Sequence, residues 1–262
     1  ADFFLFVASS IAKIAKMPTL LIGLTIVAFG TSAPEAAVSI NAALKGSNDI
    51  AIGNIIGSNI FNLLVAVGLS AMIRPIKVQK TTIIKEYPLS IYSVALLIIL
   101  SLDNLFAGND ANLLTRGDGL ILLLGFGVFM FYLIEMAVLS KEADDEVEEI
   151  VKLPLSKSII FSILGLVGIV FGGDMVVKSA TDIALHVGMS ETLVGLTIVA
   201  VGTSLPELVT SVTAARKGES DIAIGNIIGS GLFNIFFVLG VSATIHPIAV
   251  SSKLIFDFII LA

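Results

Sequence analysis

The 262-residue sequence contains no cysteine, and only 14% of its residues are charged. The lack of cysteine excludes a disulfide framework, a thiolate metal site and a cysteine nucleophile. Soluble domains carry about 25% charged residues, so this chain has too little polar surface for a soluble enzyme. It also lacks Ser-His and His-Glu-x-x-His patterns, which disfavours an intramembrane enzyme. Nothing in the sequence suggests a nucleic-acid partner.

Apolar runs such as LLIGLTIVAFG and GLILLLGFGVFMFYLI occur throughout the chain, and the mean hydropathy is +1.03. A helix needs about 20 apolar residues to cross a bilayer. The short alternating strands of a membrane barrel are not seen. The pattern therefore predicts an all-α membrane protein whose partner is the lipid bilayer. We expect nine spans, the first and last incomplete, beginning near residues 1, 18, 50, 83, 117, 157, 190, 222 and 249.

Charged residues are unevenly distributed along the chain. The formal net charge is −6, from 21 acidic and 15 basic residues, and six of the acids lie in the run Lys141–Glu149. If each span crosses the membrane once, most Lys and Arg residues fall on the side of this run. The positive-inside bias then places segment 140–156 in the cytoplasm as an acidic linker. We expect a multi-pass protein of a prokaryotic cell membrane.

The strongest signal is an internal repeat. Residues 23–67 and 195–239 are identical at 28 of 45 aligned positions, with an offset of 172 residues. Five spans separate the two copies, so the second copy enters the membrane from the opposite face. The sequence thus predicts two inverted halves, 1–139 and 157–262, and such repeats are typical of secondary transporters with a site near the bilayer midplane.

Each repeat contains a helix-breaking motif, Gly-Thr-Ser-x-Pro-Glu. Pro34 has no N–H and its ring clashes with the carbonyl of Gly30, and Pro206 does the same to Gly202. A broken helix is tolerated in lipid only where the freed polar groups line a cavity or bind something. Four hydroxyl residues lie at the two breaks: Thr31, Ser32, Thr203 and Ser204.

Glu35 and Glu207 follow the two breaks. Each lies roughly ten residues from the nearer end of its span, which at 1.5 Å per residue is near the middle of the bilayer. A carboxylate at that depth costs at least about 3 kcal/mol, and intramembrane acids mark functional sites. No Lys or Arg lies nearby in sequence. The partner must therefore come from solution, or the acids must be protonated.

In each repeat, the span that follows the broken one carries a polar stripe. Spacings of four and eight residues place its amides and hydroxyls on one helix face. Hard cations such as Ca²⁺ take six to eight oxygen ligands, and the two stripes and two breaks together supply that number. The stripes consist of Asn54, Ser58 and Asn62 in the first repeat and of Asn226, Ser230 and Asn234 in the second.

The motifs GTSAPE and GTSLPE, followed by GNIIGSNIFN and GNIIGSGLFN, resemble the two alpha-repeats of the sodium/calcium exchanger branch of the cation/calcium antiporter superfamily. The resemblance implies a ten-helix fold of two inverted five-helix halves, with the first helix partial and the tenth missing in this chain. It also implies an ion site formed by Thr31, Ser32, Glu35, Ser58, Asn62, Thr203, Ser204, Glu207 and Ser230, with the carbonyls of Ala28 and Ala200. At the position of Asn234 the family member used for the comparison has Asp, so the central site here has two carboxylates rather than three acids.

We therefore expect a secondary transporter rather than an enzyme, with no cofactor and no obligate protein partner. It would exchange Ca²⁺ for Na⁺ by alternating access at a site between Glu35 and Glu207. A proton/calcium antiporter would use the same carboxylates, and a cation channel could also use paired Glu residues. Because the site has two acids, the counter-ion, Na⁺ or H⁺, stays open at this point.

Overall fold

A computed structural model describes residues 17–103, 111–141, 155–189, 200–251 and 254–261. The predicted first span, most of the acidic linker and the beginning of the second repeat motif lie outside these ranges. The described residues form ten helices and one pair of short strands.

The helices follow the predicted spans closely, and several of them contain a π-helical turn. In the first half, α1 consists of Thr19–Ile22, the π turn Gly23–Val27 and Ala28–Thr31; α2 is Ala33–Leu44; α3 consists of Asn48–Phe61, the π turn Asn62–Ala66 and Val67–Ile73; α4 consists of the π turn Thr82–Glu86 and Tyr87–Ser101; and α5 is Arg116–Lys141.

The second half repeats this order. Here α6 is Leu155–His186; α7 is Ala200–Thr203; α8 is Leu205–Lys217; α9 consists of Ser220–Leu232, the π turn Phe233–Leu239 and Gly240–Ile245; and α10 is Leu254–Leu261. Sequence reasoning gave no strand, but β1 (Leu113–Leu114) and β2 (Ile248–Ala249) pair antiparallel and join the ends of the two halves.

Four of the helices are long and apolar enough to cross a membrane: Ile50–Ile73, Thr82–Ser101, Arg116–Leu139 and Ser220–Ile245. The pair α1 and α2 passes the same test as one span bent by 49°. This bend lies where the sequence predicted a broken helix. The count covers only the described part of the chain, which omits two of the nine predicted starts.

Glycine ends α2 and α8 in the same way. Gly46 has φ 70° and Gly218 has φ 83°. In each case the N–H groups of the glycine and of the next residue donate to carbonyls of the last helical turn, as in Ser47 N to Ala42 O at 2.8 Å. A residue with a Cβ is strained in this left-handed conformation. The equivalent turns show that the sequence repeat is also a structural repeat.

Helices α1 and α9 cross at close range because glycine lies at the crossing point. A Cβ on Gly225 would be 2.8 Å from the carbonyl oxygen of Leu20, and one on Gly229 would be 2.7 Å from that of Leu24. Only glycine permits such a backbone approach. The crossing brings the break in the first repeat against the polar stripe of the second.

An aromatic cluster packs beside this crossing and joins α1, α5 and α9. Phe29 stacks on Phe233 with ring centroids 4.8 Å apart, and Phe233 stacks on Phe237 at 4.9 Å. Phe126 and Phe129 of α5 pack around Phe29. Phe29 immediately follows Ala28, and Phe233 immediately precedes Asn234. The cluster therefore supports two positions of the predicted site.

Candidate cation site

Each helix break is centred on a serine. Ser32 has φ −82° and ψ 6°, and its repeat equivalent Ser204 has φ −87° and ψ 2°. The prolines follow in the first turn of α2 and α8, where a helix needs no N–H from that residue. Glu35 and Glu207 lie in the same first turns. The positive end of each helix dipole therefore favours the carboxylate that follows the break.

Each repeat donates a serine hydroxyl to the carboxylate of the other repeat. Ser204 donates to Glu35 Oε1 at 3.1 Å, and Ser32 donates to Glu207 Oε1 at 2.9 Å. All four side chains are completely buried. Each acid is thus held by the serine of the opposite repeat, so the site exists only when both repeats pack together.

Asn54 of α3 connects α2 to the second repeat. Its Oδ1 accepts the hydroxyl of Thr203 at 3.2 Å. Its Nδ2 donates to the carbonyl of Glu35 at 3.3 Å and to Ser39 Oγ at 3.0 Å. Both N–H groups and the oxygen of the amide are therefore engaged, which suits a positioning residue better than a ligand.

Asn226 reproduces this pattern in the second repeat. It accepts the hydroxyl of Thr31 at 3.1 Å. It donates to the carbonyl of Glu207 at 3.3 Å and to Ser211 Oγ at 2.9 Å. The pseudo-symmetry therefore extends to individual hydrogen bonds that bracket each carboxylate.

The remaining predicted stripe residues complete the site, and they depart from this symmetry. Ser230 Oγ lies 2.7 Å from Ser32 Oγ and 3.4 Å from Glu207 Oε1. Ser58 donates to the carbonyl of Ile55 and accepts from Asn234 Nδ2 at 3.2 Å. Asn62 and Asn234 both lie in π turns, which are frequent at functional positions.

Several buried oxygens of the site have no hydrogen-bond partner. They include Glu35 Oε2, Glu207 Oε2, Asn62 Oδ1 and Asn234 Oδ1. Buried polar atoms are nearly always paired in proteins, and an unpaired one costs about 1–3 kcal/mol or more if charged. All four belong to residues that the sequence had singled out.

The two predicted carbonyl ligands are equivalent in the repeat, and each begins the four-residue helical segment before its break. The carbonyl of Ala28 accepts the N–H of Ser32 at 3.0 Å and lies 3.3 Å from the hydroxyl of Thr31, whose single hydrogen is also within 3.1 Å of Asn226 Oδ1, so only one lone pair of this carbonyl is fully engaged. Ala200 is the first residue of α7, immediately before the second break. Among the described residues, no group of three or more acidic, His or Cys side chains comes together. The fixed charge of the site therefore comes from two carboxylates.

Sequence reasoning missed some members of the hydrogen-bonded network. Ser39 and Ser211 follow the two glutamates by four residues, and this helical spacing could have revealed them. Thr210, buried with an unpaired hydroxyl, follows Glu207 by three residues. Asn59 was not distinguishable, because its repeat equivalent is Gly231.

A further buried acid lies outside the site. Glu86 of α4 is fully buried, and Tyr132 of α5 donates its hydroxyl to Glu86 Oε1. Oε2 of Glu86 has no partner. The signal that could have found it is the one used for Glu35, an acid within an apolar span.

These features define the class of protein: a helical membrane exchanger of two inverted repeats with paired buried carboxylates. A family model described as sodium/calcium exchanger protein matches residues 1–135 and 157–262. The chain belongs to this family, as the motifs of the two repeats predicted.

Individual relatives agree with this assignment. The chain is 43% identical over 255 residues to the putative antiporter CaxA of Alkalimonas amylolytica, covering 94% of this chain and 76% of the relative. It is 31% identical to the sodium/calcium exchanger MaX1 of Methanosarcina acetivorans, covering 98% and 82%. Its structure matches the sodium-calcium exchanger NCX_Mj, soaked with 2.5 mM Na⁺ and 0.1 mM Ca²⁺, with a TM-score of 0.79 and 30% identity over 99% of this chain and 82% of that one.

Family membership and the structural match confirm four predictions. The fold is an all-α inverted-repeat exchanger fold. The chain is an integral membrane protein and a secondary transporter rather than an enzyme. Its general activity is cation/Ca²⁺ antiport, with Ca²⁺ and Na⁺ as the substrates of the family.

Proposed function

We propose that the chain exchanges Ca²⁺ for Na⁺ at a single site between Glu35 and Glu207. The observation that carries this proposal is the set of unpaired buried oxygens on Glu35, Glu207, Asn62 and Asn234. A bound cation would satisfy all of them at once.

The donor set suits a hard cation. Ca²⁺ takes six to eight oxygens at 2.3–2.6 Å, from carboxylates, amides, hydroxyls and carbonyls. Two carboxylate and two amide oxygens form the centre of the proposed site. The remaining ligands would come from the hydroxyls and carbonyls around it: Thr31, Ser32, Ser58, Thr203, Ser204, Ser230, Ala28 and Ala200.

Charge balance would couple the two ions. The two carboxylates carry −2 together, which one Ca²⁺ or two Na⁺ neutralise. Both loads need the same oxygens, so they exclude each other. An unloaded site with two negative charges is costly to carry through a low-dielectric barrier. Movement would therefore occur only with the site loaded, which converts a Na⁺ gradient into Ca²⁺ transport.

Helix α6 is the proposed moving element, together with the first span. It packs against α1, α7 and α8, the elements that contain the two breaks. Its large apolar side chains, such as Ile163, Val167 and Phe171, are exposed rather than packed in the protein core. A helix that contacts lipid along its length can slide over a rigid core at little cost, opening the site to one side at a time.

The two halves, 1–139 and 157–262, would enter the membrane from opposite faces, with segment 140–156 in the cytoplasm. Single cysteines test this orientation because the chain has none of its own. Lys45 and Lys217 are equivalent in the repeat and both are exposed. We expect an impermeant thiol reagent to label Lys45→Cys from outside and Lys217→Cys only after the membrane is opened.

Uptake of ⁴⁵Ca²⁺ into vesicles with imposed gradients tests the proposed function. We expect an outward Na⁺ gradient at constant pH to drive uptake, and a pH gradient without Na⁺ to drive none. Uptake driven by the pH gradient alone would identify a proton/calcium antiporter. Uptake that needs neither counter-ion would identify a channel, and either result would contradict the proposal.

A further inference from the structure

Asn234 is held in one orientation by α3. Its Nδ2 donates to Asn59 Oδ1 at 3.0 Å and to Ser58 Oγ at 3.2 Å. Asn59 is itself 5% exposed, and its Nδ2 donates to the carbonyl of Gly231 at 3.4 Å. Both hydrogens of the Asn234 amide are therefore directed at α3.

This arrangement decides which atom Asn234 presents to the site. Its Oδ1 is left buried without a partner. If the amide turned over, Oδ1 would face the oxygen of Asn59, and two acceptors would oppose each other. Asn59 cannot turn to relieve this, because its own N–H is bonded to the carbonyl of Gly231.

The first repeat lacks this device. Asn62 is the repeat equivalent of Asn234, and neither its Oδ1 nor its Nδ2 has a hydrogen-bond partner. The residue equivalent to Asn59 is Gly231, which has no side chain to offer. Two residues that the sequence makes equivalent are therefore held differently.

We propose that Asn59 is a positioning residue for cation exchange, which fixes Asn234 so that it presents an oxygen and not an N–H group to the ion. This inference rests on the proposed function, because it assumes that Asn234 lies in the ion site. It assigns the two repeats unequal roles: Asn234 is a preset ligand, whereas no hydrogen bond fixes the amide of Asn62.

The test compares Asn59→Leu in two backgrounds. Leucine branches at the same position as asparagine but accepts and donates no hydrogen bond. Loss of a residue that orients a metal ligand costs about 10–100-fold in affinity. In the native background we expect the KM for Ca²⁺ to rise about tenfold with kcat unchanged. In the Asn234→Asp background a carboxylate presents an oxygen in either orientation, so we expect a rise below about twofold.

Two further variants complete the design. Asn59→Asp keeps an acceptor for Asn234 Nδ2 but loses the N–H that bonds the carbonyl of Gly231, so we expect its KM to rise less than that of Asn59→Leu. If Asn59→Leu does not reach the membrane, Asn59→Ala carries the same comparison. An equal rise of KM in both backgrounds, or no rise in the native one, would overturn the inference. The proposed function fails separately, if Glu35→Gln and Glu207→Gln still exchange Ca²⁺.

Discussion

Replacing either glutamate by glutamine is the most direct test of the paired-carboxylate site. Glutamine keeps the shape of the side chain and an oxygen that can accept the hydroxyl of Ser204 or Ser32. The hydrogen bonds between the repeats are therefore retained. The variant removes one unit of negative charge and little else, so the fixed charge changes from −2 to −1.

The size of the effect follows from Coulomb's law. Two unit charges 4 Å apart interact by about 4 kcal/mol at an effective dielectric constant of 20, so a Ca²⁺ ion loses about 8 kcal/mol of attraction with each carboxylate. The amide dipole and water replace part of this loss. If only a quarter remains, about 2 kcal/mol, the KM for Ca²⁺ rises about 30-fold, since 1.4 kcal/mol is tenfold.

The assay is Na⁺-driven ⁴⁵Ca²⁺ uptake into vesicles, with the amount of protein in the membrane measured for each variant. Glu86→Gln is the matched control, because it neutralises a third buried acid that lies outside the site and bonds Tyr132. We expect Glu35→Gln and Glu207→Gln to lose exchange at Ca²⁺ concentrations near the native KM, and the control to keep it. A native KM in either site variant would refute the assignment.

Three other changes have defined outcomes. In Gly229→Ala the new Cβ would lie 2.7 Å from a backbone carbonyl oxygen of α1. We expect this variant to lose about 1–3 kcal/mol of stability and to take up less Ca²⁺. The control is Gly127→Ala, whose new Cβ would lie in open space, and we expect it to unfold in detergent at the native temperature. Tyr132→Phe removes the donor to buried Glu86 and should lower stability by about 1–3 kcal/mol, and an unchanged unfolding temperature would contradict this. Asn234→Asp adds a third group that binds protons, so Ca²⁺ uptake should fall more steeply as pH is lowered, and an identical pH profile would place residue 234 outside the site.

The serine–glutamate hydrogen bonds between the repeats limit which parts of the protein can move. Each carboxylate depends on a hydroxyl from the opposite repeat, and the crossing of α1 with α9 sets how far apart the repeats lie. Movement of one repeat relative to the other would therefore disturb both carboxylates together. This favours a mechanism in which the four broken half-helices stay fixed and α6 moves across them.

Local sequence was sufficient for much of the fold and for naming the residues of the candidate site. Helical periodicity and apolar length predicted the spans, because lipid forces every backbone group to bond within its own segment. Glu35 and Glu207 stood out because an acid in an apolar span is costly wherever the helix packs. The 28 identities between residues 23–67 and 195–239 predicted the inverted repeat, which the comparison structures confirm.

Tertiary structure decided which groups of the two repeats meet. Ser32 and Glu207 lie 175 residues apart, and nothing in local periodicity states that each serine bonds the opposite carboxylate. That pairing follows from the close approach of α1 and α9 at Gly225 and Gly229. The difference between Asn62 and Asn234 has the same origin. The two are equivalent by sequence, but only Asn234 donates a hydrogen bond to an asparagine side chain, because that bond depends on the neighbouring helix rather than on position in the repeat.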